Sequence, residues 1–308
     1  MNRIVAIVGP TGIGKSRLAI NLAQDLTAEI VSADSRQVYR MMDIGTAKPA
    51  PKDLSIVPHH LIDIINPDED FSLAQYQQLA YKAIDNIQHC SKLPLLVGGS
   101  GLYIWSVVEG WGIPRVAPDP KFRHELEMKA ATEGGDSLYR QLINMNPSAA
   151  QRIDQRNVRR LIRALEVQRQ AGVPDSKLNR KNSPPFSTLI IGLTTDRAEL
   201  YRRIDTRVDT MIEQGLVDEV IKLTNIRFDF NLPALSGIGY KEIGMYLRDE
   251  ITLATAIQQI KYETHRYVRQ QYNWFRLKDD RIHWFDVQER VDTDISNLLA
   301  DYYKTENI

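Results

Sequence analysis

The chain has 308 residues, 43% hydrophobic and 25% charged. This is ordinary folded-protein usage: it excludes disordered, collagen-like and coiled-coil classes and suggests roughly two domains, or one large domain with an insertion. Its 39 Lys and Arg balance 39 Asp and Glu, so a nucleic-acid or membrane partner has to be read from local patches. One cysteine, Cys90, can close no intramolecular disulfide and build no cysteine-based zinc site, which points to a reducing, cytoplasmic setting. Its expected state is a buried thiol.

The apolar run Ile4–Val8 is too short for a secretion signal or a membrane span and reads as a first strand. Helical periodicity follows at about Lys15–Asp25. Further strands are expected at Glu29–Ala33, His60–Ile64 and Leu93–Val97, with a helix over Ser72–His89. Strand and helix alternate, so an α/β fold with a mainly parallel sheet is expected. From Ile113 to Pro185 no strand pattern appears; prolines bracket the segment and helical spacing fills it. Thr188–Leu193 restores a strand, Asp196 is placed to cap a helix through Tyr201, Arg207 and Met211, and a long amphipathic helix covers about Thr252–Arg276. A short edge strand at Ile282–Phe285 and a polar tail complete the chain. The expected organisation is a core of residues 1–112 and 186–308, interrupted by an all-helical insertion over 113–185.

The clearest chemical signal is Gly9-Pro10-Thr11-Gly12-Ile13-Gly14-Lys15-Ser16, which matches G-x-x-x-x-G-K-[ST] between a strand and a helix. In such a loop backbone N–H groups and the helix N-terminus hold phosphate oxygens, the lysine adds a point charge, and the serine hydroxyl ligates Mg²⁺. A P-loop motor would end a neighbouring strand in an acid that holds the metal. Leu93–Val97 runs instead into Gly98-Gly99-Ser100, which disfavours a motor and leaves open a transferase that uses a diphosphate or triphosphate as substrate. Asp34 falls at a strand end near the loop, where it could take a proton from a nucleophile, hold Mg²⁺ through water, or simply form a turn. Ser100 could equally be a helix cap.

Two basic segments stand out in a neutral chain. Arg156, Arg159, Arg160 and Arg163 recur at helical spacing opposite Val158, Leu161, Ile162 and Leu165. Nine basic and three acidic residues lie between Arg152 and Lys181, the footprint of a polyanion. Nearer the C-terminus Lys261, His265, Arg266, Arg269, Arg276 and Lys278 interleave with Tyr262, Tyr267, Tyr272, Trp274 and Phe275, a pattern that suits RNA but also an ordinary core face. Arg203 and Arg207, one helical turn apart, could reach a phosphate. His59 and His60 lack companion ligands and read as structural.

Taken together, these segments resemble the bacterial tRNA dimethylallyltransferases, or isopentenyl-diphosphate:tRNA isopentenyltransferases. The likeness rests on the phosphate loop, Ala33–Arg40 with Met42–Pro49, Pro58–Asp63, Gly98–Tyr103, Arg160–Val167, Gln214–Glu219, Gly237–Glu242 and Arg269–Arg276, in the family's order. The resemblance implies a P-loop NTPase-like fold. It also implies transfer of a dimethylallyl group from its diphosphate to N6 of the adenosine 3′ to the anticodon, in tRNAs reading codons that begin with U. By the same likeness Gly9–Ser16 holds the donor diphosphate with Mg²⁺ on Ser16, Asp34 is the general base, and Arg207 neutralises the leaving group. Ser100 stands where the family usually has threonine. Asp34, Ser35, Arg36, Gln37, Ser100, Arg123, Arg156, Arg159, Arg160, Arg163, Gly239, Tyr240 and Lys241 match positions that contact tRNA, whose target base should be flipped out of its stack. The expected partners are therefore tRNA and dimethylallyl diphosphate, with no membrane and no obligate protein partner; a monomer is the default. A P-loop kinase acting on a small molecule or nucleoside is the alternative, and it gives the basic insertion nothing to do.

Overall fold

A computed structural model describes residues 2–114, 116–171, 182–226, 228–288 and 291–304. The chain divides into two compact units, one formed by Met1–Val108 with Pro184–Ile308 and the other by Glu109–Ser183.

The first unit is built on a sheet in which six strands are described: β1 Arg3–Val8, β2 Ala28–Ser32, β3 His59–His60, β4 Leu93–Gly98, β5 Ser187–Thr194 and β6 Ile282–Asp286. All pair in parallel, in the order β3-β2-β4-β1-β5-β6. A parallel sheet covered on both faces needs apolar strands, and Ile4–Val8 and Leu95–Val97 are buried accordingly. The helices of this unit are α1 Lys15–Asp25, α2 Pro51–Ile56, α3 Leu73–His89 and α4 Gly101–Val108, then, after the second unit, α9 Arg197–Glu213, α10 Leu216–Asn225, α11 Tyr240–Leu247, α12 Leu253–Trp274 and α13 Val291–Lys304. Asp196 caps α9 by accepting the N–H groups of Ala198 and Glu199, and Thr252 caps α12 through the N–H of Thr255.

The second unit is all-helical over its described residues: α5 Pro120–Glu133, α6 Gly135–Met145, α7 Pro147–Ala150 and α8 Val158–Ala171. Its own core gathers Leu126, Leu138, Leu142, Leu161, Ile162 and Leu165.

Three expectations are corrected here. The strand expected over His60–Ile64 is only the two residues of β3, because Leu61 (φ 64°) and Asp63 (φ 55°) turn left-handed and carry the backbone off the sheet edge. The polar tail contains α13, which seats Ile295 and Leu299 in the sheet core. Cys90 is exposed, since it is the C-cap of α3 and stands beyond that helix's buried stripe.

Candidate active site

Strand register determines which loops meet. Val8 pairs with Gly98 and Ser32 with Val97, so β1, β4 and β2 end level. The turns after them, Gly9–Ser16, Gly98–Ser100 and Ala33–Arg36, therefore lie side by side at the carboxyl edge, where open α/β sheets bind ligands. Two glycines make this approach possible. At Gly98 a Cβ would sit 2.1 Å from the Ala33 carbonyl oxygen; at Gly9, φ +142°, it would sit 2.6 Å from that of Leu193. Within the loop, Gly14 caps α1 in the left-handed conformation.

A cavity of about 840 Å³ opens over the phosphate loop. Its basic lining comprises Lys15, Arg17, Lys48, Arg202, Arg203 and Arg207, with Ser16 and Asp34 beside them. Lys15 Nζ donates to the Pro10 carbonyl at 2.7 Å. Burial lowers its pKa to about 7; Asp34 opposes that shift and Arg207 adds to it. Burial likewise lowers the Arg207 pKa, again against Asp34. Lys15, Asp34 and Arg207 thus form one electrostatic group. Arg203 is committed to Glu199, at 2.6 Å.

A second cavity, about 270 Å³, shares Thr11, Gly12, Asp34, Thr46 and Arg207 with the first. Its other walls are apolar side chains of α9 and α12, Ile204, Val208, Met211 and Ile260, together with Ser35, Arg36, Gly239 and Tyr267. Asp34 thus stands where a basic chamber meets a partly apolar one. Its Oδ1 accepts the Arg36 N–H at 2.8 Å, an Asx turn that fixes the carboxylate. Ser100 Oγ accepts the Ser35 N–H at 3.0 Å, so the serine ties the β4 turn to the Asp34 segment.

Several residues of this site were not singled out by sequence reasoning. Gln271, buried on α12, accepts the Thr11 N–H with Oε1 at 2.9 Å and donates Nε2 to the Gly99 carbonyl at 3.0 Å. Glu219 on α10 accepts the N–H groups of Asp43, Ile44 and Gly45 at 2.9, 2.8 and 3.1 Å and the Tyr240 hydroxyl at 2.6 Å, anchoring the segment that presents Thr46 and Lys48. Lys48 in turn bonds the Tyr39 carbonyl, Asp43 and Asp63. Gln271, Glu219 and Lys48 all lie in segments that carry the family likeness, yet only long-range packing shows what they hold.

The remaining candidates distribute unevenly. Gln37 lines the first cavity and bonds Ser32, Thr46 and Ala47. Arg36 reaches the carbonyls of Pro233 and Ala234. Gly239 lines the second cavity and Lys241 is exposed, whereas the Tyr240 side chain is buried against Glu219 and is not offered to solvent. In the helical unit Arg159 and Arg160 are exposed. Arg156 is not on their helix: it precedes α8 and pairs with Asp154 at 2.9 Å. Arg123 and Arg163 turn inward onto the fully buried Glu166, at 2.8 and 2.5 Å, so the row of four arginines expected on one solvent face does not form. Lys177, Arg180 and Lys181 of the basic segment lie outside the described residues.

On α12, Lys261 pairs with Asp209 at 2.6 Å and His265 with Asp205 at 2.9 Å. Phe275 is buried and Trp274 packs under Gly101; Tyr262 is exposed. Much of the basic and aromatic pattern there is therefore core and inter-helix pairing. His59 bonds the Val57 carbonyl and His60 pairs with Glu29.

Fold and site together define a P-loop fold whose phosphate loop faces a carboxylate across a shared cavity wall. The model of the IPP transferase family matches residues 37–278, and the chain belongs to that family. It is 50% identical to the tRNA dimethylallyltransferase of Dehalococcoides mccartyi over 299 residues, covering 97% of this chain and 92% of that one. Among solved structures it is similar to the tRNA isopentenylpyrophosphate transferase of Bacillus halodurans, with 40% identity, TM-score 0.72, and coverage of 98% and 96%. It is also similar to a eukaryotic dimethylallyltransferase acting on tRNA, with 25% identity, TM-score 0.82, and coverage of 100% and 81%.

Proposed function

We propose that the protein transfers a dimethylallyl group from dimethylallyl diphosphate to N6 of the adenosine 3′-adjacent to the anticodon, in tRNAs that read codons beginning with U. The observation that carries this is the meeting of two chambers at Asp34 and Arg207, one basic and over the phosphate loop, the other with apolar walls. The names carried by relatives as similar as 50% identical support the same donor and acceptor.

The diphosphate lies on the Gly9–Ser16 loop, with Lys15 and Arg207 against its oxygens. As the allylic C–O bond breaks, negative charge grows on diphosphate and cationic character on carbon; preorganised cations at the leaving group favour that change. Adenine N6 is a weak nucleophile, so its proton passes to the Asp34 carboxylate as the C–N bond forms, and diphosphate departs. Ser100 and the Arg36 N–H hold the segment and the carboxylate in place. A magnesium ion fits the donor set of Ser16 hydroxyl and diphosphate oxygens beside Asp34, because Mg²⁺ keeps several waters and needs few protein ligands. When bound there it supplies further neutralisation of the leaving group. Asp34–Gln37, Ser100, Gly239 and Lys241 on the core unit, and Arg159 and Arg160 on the helical unit, are the groups assigned to tRNA. No described helix is long and apolar enough to cross a membrane; a cytoplasmic, monomeric enzyme is part of the proposal.

The test is incorporation of labelled dimethylallyl diphosphate into unmodified tRNA with Mg²⁺ and without ATP. Label that vanishes when the 3′-adjacent adenosine is replaced supports the reading; ATP-dependent phosphorylation of a metabolite with no label in RNA supports the kinase instead. Asp34→Ala is expected to lower transfer at least ~100-fold while tRNA binding, followed by filter retention, is kept. Equal turnover in mutant and wild type removes the general-base role.

A further inference from the structure

Residues Asp43–Lys48 form a short strap that closes on itself: the Ala47 N–H donates to the Ile44 carbonyl and the Lys48 N–H to that of Asp43, each at 3.0 Å. Gly45 lines the smaller cavity, Ala47 and Lys48 line the larger, and Thr46 lines both. The strap is therefore a wall common to the basic chamber and the apolar one. Gln37 Nε2 ties it by donating to the Thr46 and Ala47 carbonyls at 3.4 and 3.2 Å, and Lys48 reaches the Tyr39 carbonyl and Asp63. The remaining tie is Glu219, from α10.

Glu219 is 9% exposed and, among the described residues, pairs with no lysine or arginine. Burying a carboxylate without a counter-charge is costly unless its lone pairs find donors. Here each oxygen has two: Oε2 accepts the N–H groups of Asp43 and Ile44, and Oε1 accepts the Gly45 N–H and the Tyr240 hydroxyl. All four partners donate, so a carboxylate fits, and a primary amide, with two hydrogens of its own, does not. Burial and the adjacent carboxylate hold the Tyr240 phenol far above its ordinary pKa, so it keeps its proton. Its ring also fixes the strap sterically: a Cβ on Gly45 would sit 2.5 Å from Tyr240 Cε2.

We infer that Glu219, seconded by Tyr240, is a positioning residue that sets the Gly45–Thr46 wall between donor and acceptor chambers. The inference rests on the reading of the basic chamber as the donor site and of the apolar one as the place where the prenyl carbon meets adenine. The phosphate loop has its own tie, from the Thr11 N–H to Gln271 on α12, and among the described residues no hydrogen bond joins that loop to the strap. Loosening the wall should therefore slow transfer, through lost orientation of the reacting groups, and leave the anion site in place.

The experiment is single-turnover transfer from saturating labelled dimethylallyl diphosphate to unmodified tRNA, run on the full chain for wild type, E219Q, Y240F and the double variant. Pyrophosphate affinity is measured by calorimetry on the same preparations. In E219Q the amide oxygen stays with Asp43 and Ile44 while the amide nitrogen turns to Tyr240, the one partner that can accept as well as donate, and the Gly45 N–H loses its acceptor. E219Q is expected to slow transfer about tenfold with pyrophosphate Kd within about twofold of wild type. Y240F leaves all three N–H groups satisfied and is expected to slow it less. In the double variant the amide nitrogen has no acceptor, so the rate should fall below the product of the single-variant fractions. E219Q at the wild-type rate, a pyrophosphate Kd that rises in step with the lost rate, or a double variant at or above that product overturns the inference. Should E219Q melt early, G45A takes its place: it keeps Glu219 but drives a methyl into the Tyr240 ring, and it should show the same slowing at unchanged Kd. Transfer by G45A at the wild-type rate overturns the inference. A wild type that places no label in tRNA overturns the prenyl-transfer reading beneath it, an outcome distinct from the others.

Discussion

Lys15 is the residue whose state the site alters most, with burial bringing its pKa to about 7. On the proposed reading the diphosphate needs the ammonium form, so the free protein at pH 8 should take up a proton as the anion binds. Affinity for pyrophosphate should fall about tenfold per pH unit above 7 until the anion-bound pKa is reached. Calorimetric titrations in buffers of different ionisation enthalpy should show net proton uptake that disappears at pH 6. Lys15, Asp34 and Ser100 were legible in the chain because short motifs with a strand before them carry a mechanism. Gln271 and Glu219 were not. An amide or a carboxylate at helical spacing has no local signature, and their partners lie 260 and 174–176 positions away.

Among the elements, α8 shows most clearly where pattern reading stops. Its apolar stripe of Leu161, Ile162 and Leu165 was correctly placed on the core side, but the opposite arginines were read as one solvent face. Arg163 bends inward because Glu166, three positions on, is buried and needs counter-charge. Burial pushes the Glu166 carboxyl up, yet bonds from Arg123, the Asp119 N–H and Arg163 bring it down to about 2. A carboxyl depressed in this way stabilises the fold above about pH 4.5, and that contribution is lost as pH falls towards 2. Glu166→Gln should accordingly destabilise the helical unit by about 3 kcal/mol at pH 7, because it removes the buried carboxylate that pairs Arg123 and Arg163. Urea denaturation of mutant and wild type should converge only as the pH falls to about 2 and below. The expected length of β3 failed for a related reason: its apolar pattern carries no trace of left-handed turns at Leu61 and Asp63, which tertiary context imposes.

For the molecule as a whole, the alternation of strands and helices specified the sheet, and the proline-bracketed helical stretch specified the second unit. Chain-wide charge is zero, so RNA affinity has to come from small exposed patches, of which Arg159 and Arg160 are the clearest on the helical unit. Reversing both to glutamate should raise the tRNA KM roughly tenfold and reduce the slope of log K against log salt by about 2, provided each contacts one phosphate. An unchanged slope, measured between 50 and 200 mM salt, removes them from the interface.

Glu219 completes the contrast between the two loops that border the basic chamber. Its carboxylate satisfies three successive backbone N–H groups at Asp43–Gly45, the task that, on the proposed reading, the donor phosphate performs for the loop at Gly9. One amide nest is thus filled by a resident anion and the other is left for a visiting one. On the proposed reading, the donor finds its charged-end receptor at the Gly9 loop and docks with its hydrocarbon towards Asp34.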